Sequence, residues 1–193
     1  LIAHVARAAT GEASVRWRGR TLDVRPPFAR VSVLEAFQRY ASLERDTVLL
    51  LAASDEDTYF RLLVEKIEPA LAALPHAVVL HDFPSVHASL ARRRPDDPTV
   101  CERFEVYVGG VELCNGFGEL TDAREQRTRL EHDREARRHA GKVPYPIDEH
   151  FVRALEEGMP PSGGNALGVD RLVMLCLGAD SIGQVMAFPD DGL

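Results

Sequence analysis

The 193-residue sequence has few of the features that mark secreted, membrane or nucleic-acid-binding proteins. Its three cysteines, Cys101, Cys114 and Cys176, lack metal-ligand spacing, which is typical of reduced thiols in a cytosol and not of a disulfide scaffold. The longest fully apolar run, residues 48–53, is far below the roughly 20 residues that span a bilayer. A net charge of −7 argues against a general binder of phosphate backbones. We therefore expect a cytoplasmic globular protein with no transmembrane helix.

The length and the first residue set expectations about domain organisation. A chain of 193 residues predicts one domain, with a core large enough to fold without disulfides. The sequence begins with Leu1 instead of Met, and no charged-then-apolar signal segment follows. We therefore expect the chain to be a piece of something longer.

Local signals predict several elements before any family is considered. Ser32 and Glu35 form a capping box, which predicts a helix over 33–42. A second box at Ser54 predicts a helix that ends or kinks before Pro69. The other predicted elements are a buried strand at 77–80, hairpin strands at 103–108 and 111–113, a charged helix from 122 to 141, and short helices at 151–157 and 170–178.

The hairpin carries the first candidate site. A two-residue turn at Gly109-Gly110 predicts that Tyr107 pairs with Glu112 and that Glu105 pairs with Cys114. These four residues would share a polar face, on which Glu105 and Glu112 are diagonal neighbours. Two carboxylates so placed suit Mg²⁺ together with substrate phosphates, whereas the alternative is a solvated polar face.

The residues after the hairpin leave two alternatives open. Strict alternation puts Asn115 and Glu119 on the apolar face, where an amide and a carboxylate are unfavourable. A bulge at Gly116 or Gly118 would turn both side chains toward the acidic side. The other interpretation is that the strand ends at Cys114 and the remainder is loop.

A second candidate site begins at a glycine-rich loop and leads into a helix. Gly168 permits close approach of a planar ligand, and Arg171 lies in the first helical turn, where the helix dipole favours anions. An arginine there can bind a phosphate with two hydrogen bonds. Alternatively, Asp170 caps the helix and Arg171 pairs with a surface acid.

Both sites lie in stretches that resemble a known family. Residues 104–107, 112–122, 166–172 and 185–189 closely resemble the catalytic domain of class II lysyl-tRNA synthetases, and the third of these stretches looks like the family's motif 3. The resemblance implies an α+β fold, an antiparallel sheet flanked by helices, which makes an aminoacyl adenylate from ATP and an amino acid. We expect residues 1–193 to form part of such a domain, with the best match at 77–193.

The resemblance also implies roles for individual residues. Four residues would contact ATP: Glu112, Leu113, Gly168 and Arg171. Arg171 would be catalytic, since it binds the terminal phosphate, and Glu105 and Glu112 would hold Mg²⁺. Asn115 would orient the amino acid, Glu119 would hold its distal amino group, and Ala166 would adjoin it.

Three details favour one branch of the family. Ala166 and Cys114 stand where the tRNA enzymes usually have glycine, and residues 87–91 look like the version found in the branch that attaches β-lysine to elongation factor P. A methyl or a thiol beside the substrate would reshape the pocket. The implied partners are therefore lysine or β-lysine, with elongation factor P or tRNA as acceptor.

The N-terminal part departs from the family pattern. Nothing in residues 1–76 resembles motif 1, which builds the family's homodimer interface, or motif 2, whose arginine holds the α-phosphate. Three interpretations remain: the C-terminal portion of an elongation factor P lysine ligase, a fragment of a lysyl-tRNA synthetase, or a non-catalytic module that binds amino acids. We expect the isolated chain to fold at least in part, and to dimerise or aggregate through uncovered surface.

Overall fold

A five-stranded sheet organises the chain, which a computed structural model describes over residues 1–189. Its strands, in spatial order, are β3 (Ala29–Ser32), β4 (Val78–Pro84), β5 (Val100–Val108), β6 (Val111–Gly118) and β7 (Gly163–Leu167). All neighbours are antiparallel except β3 and β4, which are parallel. A separate two-stranded ribbon consists of β1 (Ser14–Trp17) and β2 (Arg20–Asp23). The predicted α+β architecture is confirmed.

Helices flank the sheet. They are α1 (Ile2–Thr10), α2 (Val33–Ala41), α3 (Arg45–Ser54), α4 (Glu56–Leu62), α5 (Glu68–Ala72), α6 (Ala123–His139), α7 (Glu149–Gly158) and α8 (Val169–Leu177). A π-helical segment, Leu63–Ile67, joins α4 to α5, and short 3₁₀ turns lie at Ser85–His87 and Ile182–Gln184. No helix within the described residues is both long and apolar enough to cross a membrane.

Alternation along the strands gives the sheet two buried faces. Leu80 and Tyr107 pack with α2, α3 and α4 in one core, whereas Val79 and Val106 pack with α1, α8 and the ribbon in the other. The ribbon therefore covers the face opposite to α2–α5. Arg20 of the ribbon donates to the carbonyls of Ala72 and Ala73, both at 2.7 Å, and so provides hydrogen-bond donors for carbonyl groups that are free at the C-terminal end of α5.

The two predicted capping boxes have different outcomes. Ser32 accepts from the Glu35 backbone N–H at 3.2 Å and Glu35 accepts from the Ser32 N–H at 2.9 Å, so the first box is confirmed. The second is wrong, because Ser54 is the last residue of α3 and Asp55 caps α4 instead. The helical run does not end before Pro69, because α5 begins at Glu68 directly after the π-helical segment and Pro69 lies in its first turn, where proline is tolerated.

The hairpin confirms the predicted turn and corrects the predicted register. Gly109 and Gly110 have φ values of 58° and 85°, as a two-residue turn requires, and Tyr107 pairs with Glu112. The register then shifts, because Leu113 is an extra residue without a partner on β5, and the next pair is Val106 with Cys114. The expected pair of Glu105 with Cys114 is therefore wrong. The interpretation that the strand ends at Cys114 is also wrong, because β6 continues to Gly118.

Candidate active site

The bulge at Leu113 decides which side chains meet on the sheet. It pairs Cys114 with Val106, in the apolar core, and pairs Asn115 with Glu105 on the acidic face. The predicted consequence of a bulge is thus observed, but the position expected for it, Gly116 or Gly118, is wrong. Cys114 is correspondingly not a member of the acidic face. A bulge re-aims every residue that follows it, since side chains alternate along a strand.

Glu105 is the buried centre of the acidic face. Only 6% of the residue is exposed, and its Oε1 accepts from Arg103 Nη2 at 2.8 Å and from Asn115 Nδ2 at 3.3 Å. Its Oε2 accepts from Tyr107 Oη at 2.7 Å. Burial, and then the neighbouring Glu105 charge, raises the pKa of Tyr107 well above its ordinary value, so the phenol stays protonated as a donor. Both oxygens of Glu105 therefore have protein partners.

Glu112 and Arg171 connect the hairpin to the start of α8. Arg171 Nη1 donates to the Glu112 carbonyl at 2.8 Å and lies 3.6 Å from Glu112 Oε2. The Gly168 N–H donates to the Leu113 carbonyl at 2.9 Å, so the bulge residue holds the residue that precedes the helix. Gly168 is the N-cap and Asp170 is not, which removes the interpretation that Asp170 caps the helix. Arg171 does pair with an acid, and that acid is Glu112.

The electrostatics of Glu112 follow from its neighbours. Burial and then the negative charge of Glu105 raise the pKa of Glu112, and the nearby Arg171 guanidinium opposes this effect. A half-buried carboxylate next to a second carboxylate gains stability from a cation. Leu113, by contrast, is only 2% exposed, so any ligand contact would come from its backbone.

Glu119 presents a carboxylate that has no side-chain partner among residues 1–189. Its backbone N–H donates to the Ser162 carbonyl at 3.0 Å, and a Cβ added at Gly164 would collide with its carboxylate, so the side chain lies over β7. Within residues 1–189 this carboxylate has no hydrogen bond or ion pair with another side chain. Ala166 of β7 pairs with Asn115 and is exposed. Asn115, Glu119 and Ala166 are therefore brought to adjoining positions on β6 and β7.

Two contributors to this face were missed in the sequence. Glu68 of α5 is close enough to the two carboxylates that their charges, after the larger effect of burial, raise its pKa. No sequence signal separates it from the other charged residues of the same stretch, Glu65 and Lys66. Arg103 was missed because its partner Glu105 was expected to face solvent or metal.

The donor set limits how a metal ion could bind. Among the described residues, no group of three or more His, Cys, Asp or Glu side chains could hold a metal ion. The half-buried carboxylate of Glu112 beside Glu105 fits Mg²⁺ bound with substrate phosphates, because Mg²⁺ commonly uses one or two carboxylates in such sites.

Comparison with known proteins gives a family and named relatives. Residues 1–192 match the family described as tRNA synthetases class II (D, K and N). A Klebsiella pneumoniae (strain 342) protein named elongation factor P–(R)-β-lysine ligase is 44% identical over 182 residues, covering 86% of this chain and 56% of that protein. The Edwardsiella ictaluri protein of the same name is 52% identical over 138 residues, covering 71% of this chain and 42% of that protein. The chain thus spans about half the length of the curated relatives it matches.

Proposed function

Since the chain belongs to the class II tRNA synthetases (D, K and N), we propose that it forms part of an ATP-dependent ligase that activates lysine or β-lysine and transfers it to elongation factor P. The observation that carries this proposal is the contact between Arg171 and Glu112, which unites the acidic hairpin and the glycine-loop helix in one site. The relatives' names favour elongation factor P over tRNA as the acceptor.

ATP would lie between the hairpin and the start of α8. Arg171 would bind the terminal phosphate, because it sits in the first turn of a nine-residue helix whose N-terminus favours anions. Gly168 and the Leu113 backbone would contact the nucleotide, while Glu105 and Glu112 would hold the Mg²⁺ that accompanies it. When bound, this ion supplies positive charge that stabilises the phosphate oxygens.

The amino acid would bind along β6 and β7. Glu119 would hold the distal ammonium, because its carboxylate lacks a side-chain partner in the described part of the chain and lies over Gly164. Asn115, fixed by its contact to Glu105 at 3.3 Å, would orient the substrate beside Ala166. The amino acid would then be held near the phosphates for in-line attack on the α-phosphate.

A chimera tests this function. The region of the Klebsiella pneumoniae relative that matches this chain is replaced by the chain itself, and modification of elongation factor P is followed by mass spectrometry. We expect ATP-dependent addition of β-lysine. Glu44→Gln, which alters an exposed carboxylate without a hydrogen bond, serves as the control substitution. A folded chimera that charges tRNA with lysine and leaves elongation factor P unmodified would contradict the proposal.

Glu119→Gln should abolish recognition of the distal ammonium. A site built around a polar substrate group rejects the analogue that lacks it by roughly 10⁴-fold or more, because its own polar group is then unpaired. We therefore expect the unsubstituted chimera to bind lysine and not norleucine in calorimetry, and Glu119→Gln to lose this preference. Equal affinities for the two ligands before substitution would refute the role of Glu119.

Ala166→Gly should change the choice between two substrates. One methyl group in a close-fitting pocket is worth roughly 1–3 kcal/mol between competing ligands. We expect the substitution to shift the ratio of activation rates in the chimera from β-lysine toward α-lysine. Ala179→Gly, a partly buried alanine packed against the core on the opposite face, controls for a general loss of stability. An unchanged ratio of the two activation rates would show that Ala166 does not contact the substrate.

A further inference from the structure

Arg103 is an arginine held in place beside the acidic face. Its side chain is 20% exposed, and its guanidinium carbon lies 4.5 Å from the centre of the Phe83 ring and 5.9 Å from that of Phe117. Nη1 donates to the His87 carbonyl at 3.0 Å, and Nη2 donates to Glu105 Oε1 at 2.8 Å. Two hydrogen bonds and two aromatic contacts fix the guanidinium, so it cannot leave Glu105 without breaking its other contacts.

This arrangement decides whether Glu105 is available to a cation. Arg103 and Asn115 contact one carboxylate oxygen, and Tyr107 donates to the other. A metal ion that approaches Glu105 must therefore compete with a fixed positive charge. At Glu112 it meets a second cation, since Arg171 lies 3.6 Å from Oε2.

The charges of the four groups nearly cancel. Glu105 and Glu112 carry two negative charges, and Arg103 and Arg171 carry two positive ones. Glu68, whose pKa is raised by burial and then by the charges of Glu105 and Glu112, adds at most one more negative charge. A divalent cation gains little from a face whose negative charge is already largely offset, whereas nucleotide phosphates bring additional negative charge and oxygen ligands. The acidic face therefore holds a cation only when one of these arginine charges is removed or when phosphate is added.

We propose that Arg103 is a positioning residue that acts as an internal counterion to Glu105, so that the acidic face takes a divalent cation only together with a nucleotide. This inference rests on the proposed function for the nucleotide but makes a separate claim about the protein without it. Arg103 would thus prevent a free metal ion from occupying the site before ATP arrives. The carbonyl of His87 holds Arg103 in this role.

Mn²⁺ binding to the purified 193-residue chain tests the proposal, with the free ion measured by electron paramagnetic resonance. Without nucleotide, the unsubstituted chain should bind Mn²⁺ more weakly than millimolar. Arg103→Met should strengthen binding at least about tenfold, because it leaves two carboxylates beside one arginine. Adding Glu112→Gln to Arg103→Met should cancel the gain. A merely structural role for Arg103 predicts lost binding or no change.

Controls keep the outcome interpretable. Arg45→Met removes the same charge from an ion pair with Asp97, 2.7 Å long and outside the acidic face, and should leave Mn²⁺ binding unchanged. Arg103→Gln retains a donor for the His87 carbonyl while losing the charge, and replaces Arg103→Met if that variant does not fold. Submillimolar Mn²⁺ binding by the unsubstituted chain, lost in Glu112→Gln, would overturn the proposal. So would folded Arg103 variants that bind no better than Arg45→Met.

A parallel titration with a non-hydrolysable ATP analogue separates this inference from the proposed function. The analogue also binds Mn²⁺ by itself, so here the protein-bound metal is measured by ultrafiltration through a membrane that passes the free complex of Mn²⁺ and analogue. We expect the unsubstituted chain to retain Mn²⁺ when the analogue is present. If only this titration departs from expectation, and shows no Mn²⁺ binding, the result would contradict the nucleotide site assigned to Glu112 and Arg171. The comparison without nucleotide would still decide the role of Arg103.

Discussion

The 193-residue chain by itself is expected to give no lysine-dependent pyrophosphate exchange above background. Adenylate formation requires fixed donors at the α-phosphate, and the resemblance assigns the arginine that does this to motif 2, which residues 1–76 do not resemble. Loss of one preorganised donor costs on the order of 10²–10³ in rate, and loss of adjacent positioning contacts costs more. The chimera described above is the positive control in the same exchange assay.

Robust exchange by the purified monomer would show that this chain supplies its own arginine at the α-phosphate. From the sequence, the first candidates for this arginine would be those of the ribbon, Arg16, Arg18 and Arg20. The ribbon, however, covers the face of the sheet opposite to α2–α5, whereas the acidic face lies on the same side as these helices. Arg20 is further engaged with the carbonyls at the end of α5. Substitution of these three residues should therefore leave any observed exchange unchanged.

Uncovered surface should also make the isolated chain associate with itself. β7 is an edge strand of the five-stranded sheet, and α8 exposes Val169, Val173 and Leu177, spaced four residues apart on one side. An open strand edge beside exposed apolar side chains favours pairing with another chain. Sedimentation velocity over a range of concentrations should show dimers or larger species. Replacing Val173 and Leu177 by glutamate should shift the distribution toward monomer.

Arg171→Met should reduce pyrophosphate exchange by the chimera on the order of 10²–10³-fold, because it removes the donor proposed to hold the terminal phosphate and thereby to position ATP for attack at the α-phosphate. The substitution removes the guanidinium that lies between Glu112 and the proposed phosphate position. Because Arg171 is exposed at the start of α8, the loss of folding stability should be small. Exchange rates at saturating lysine, with ATP varied, measure the effect.

A matched substitution separates charge from position. Arg153→Met removes one positive charge from the exposed side of α7, and we expect exchange to change less than about twofold, since an exposed charge far from the site is screened by salt. An Arg171→Met chimera with the unsubstituted rate would exclude Arg171 from phosphate binding. A parallel fall in both variants would point to the net charge of the protein instead.

Local sequence signals correctly predicted those elements whose determinants are close in the chain. The box of Ser32 and Glu35 begins α2, and the pair Gly109-Gly110 makes the turn of the hairpin. In both cases the residues that form the hydrogen bonds or adopt the positive φ angles are within four positions of each other, so no distant contact is needed. The failed box at Ser54 differs because a neighbouring residue, Asp55, competes for the same capping role.

The register of β6 could not be derived in this way. A strand that alternates strictly and a strand with a bulge have the same local composition, and the choice at Leu113 is made together with its carbonyl contact to Gly168, more than fifty residues later. One extra residue then moves Asn115 to the acidic face and Cys114 to the core. Sequence patterns therefore predicted that a bulge could unite the polar residues, but not where it lies.

By itself the sequence determined the α+β class, the hairpin and the family, and it predicted residue types that suit a nucleotide and an amino acid. Only the tertiary structure decided how these residues are partnered, since Arg103, Glu68 and Arg171 reach the acidic face from different parts of the chain. Ion pairs depend on distance in space and on burial, and neither quantity is contained in the spacing of residues along the chain. For this reason Glu105 could be recognised as a candidate ligand in the sequence, while its engagement by Arg103, Tyr107 and Asn115 could not.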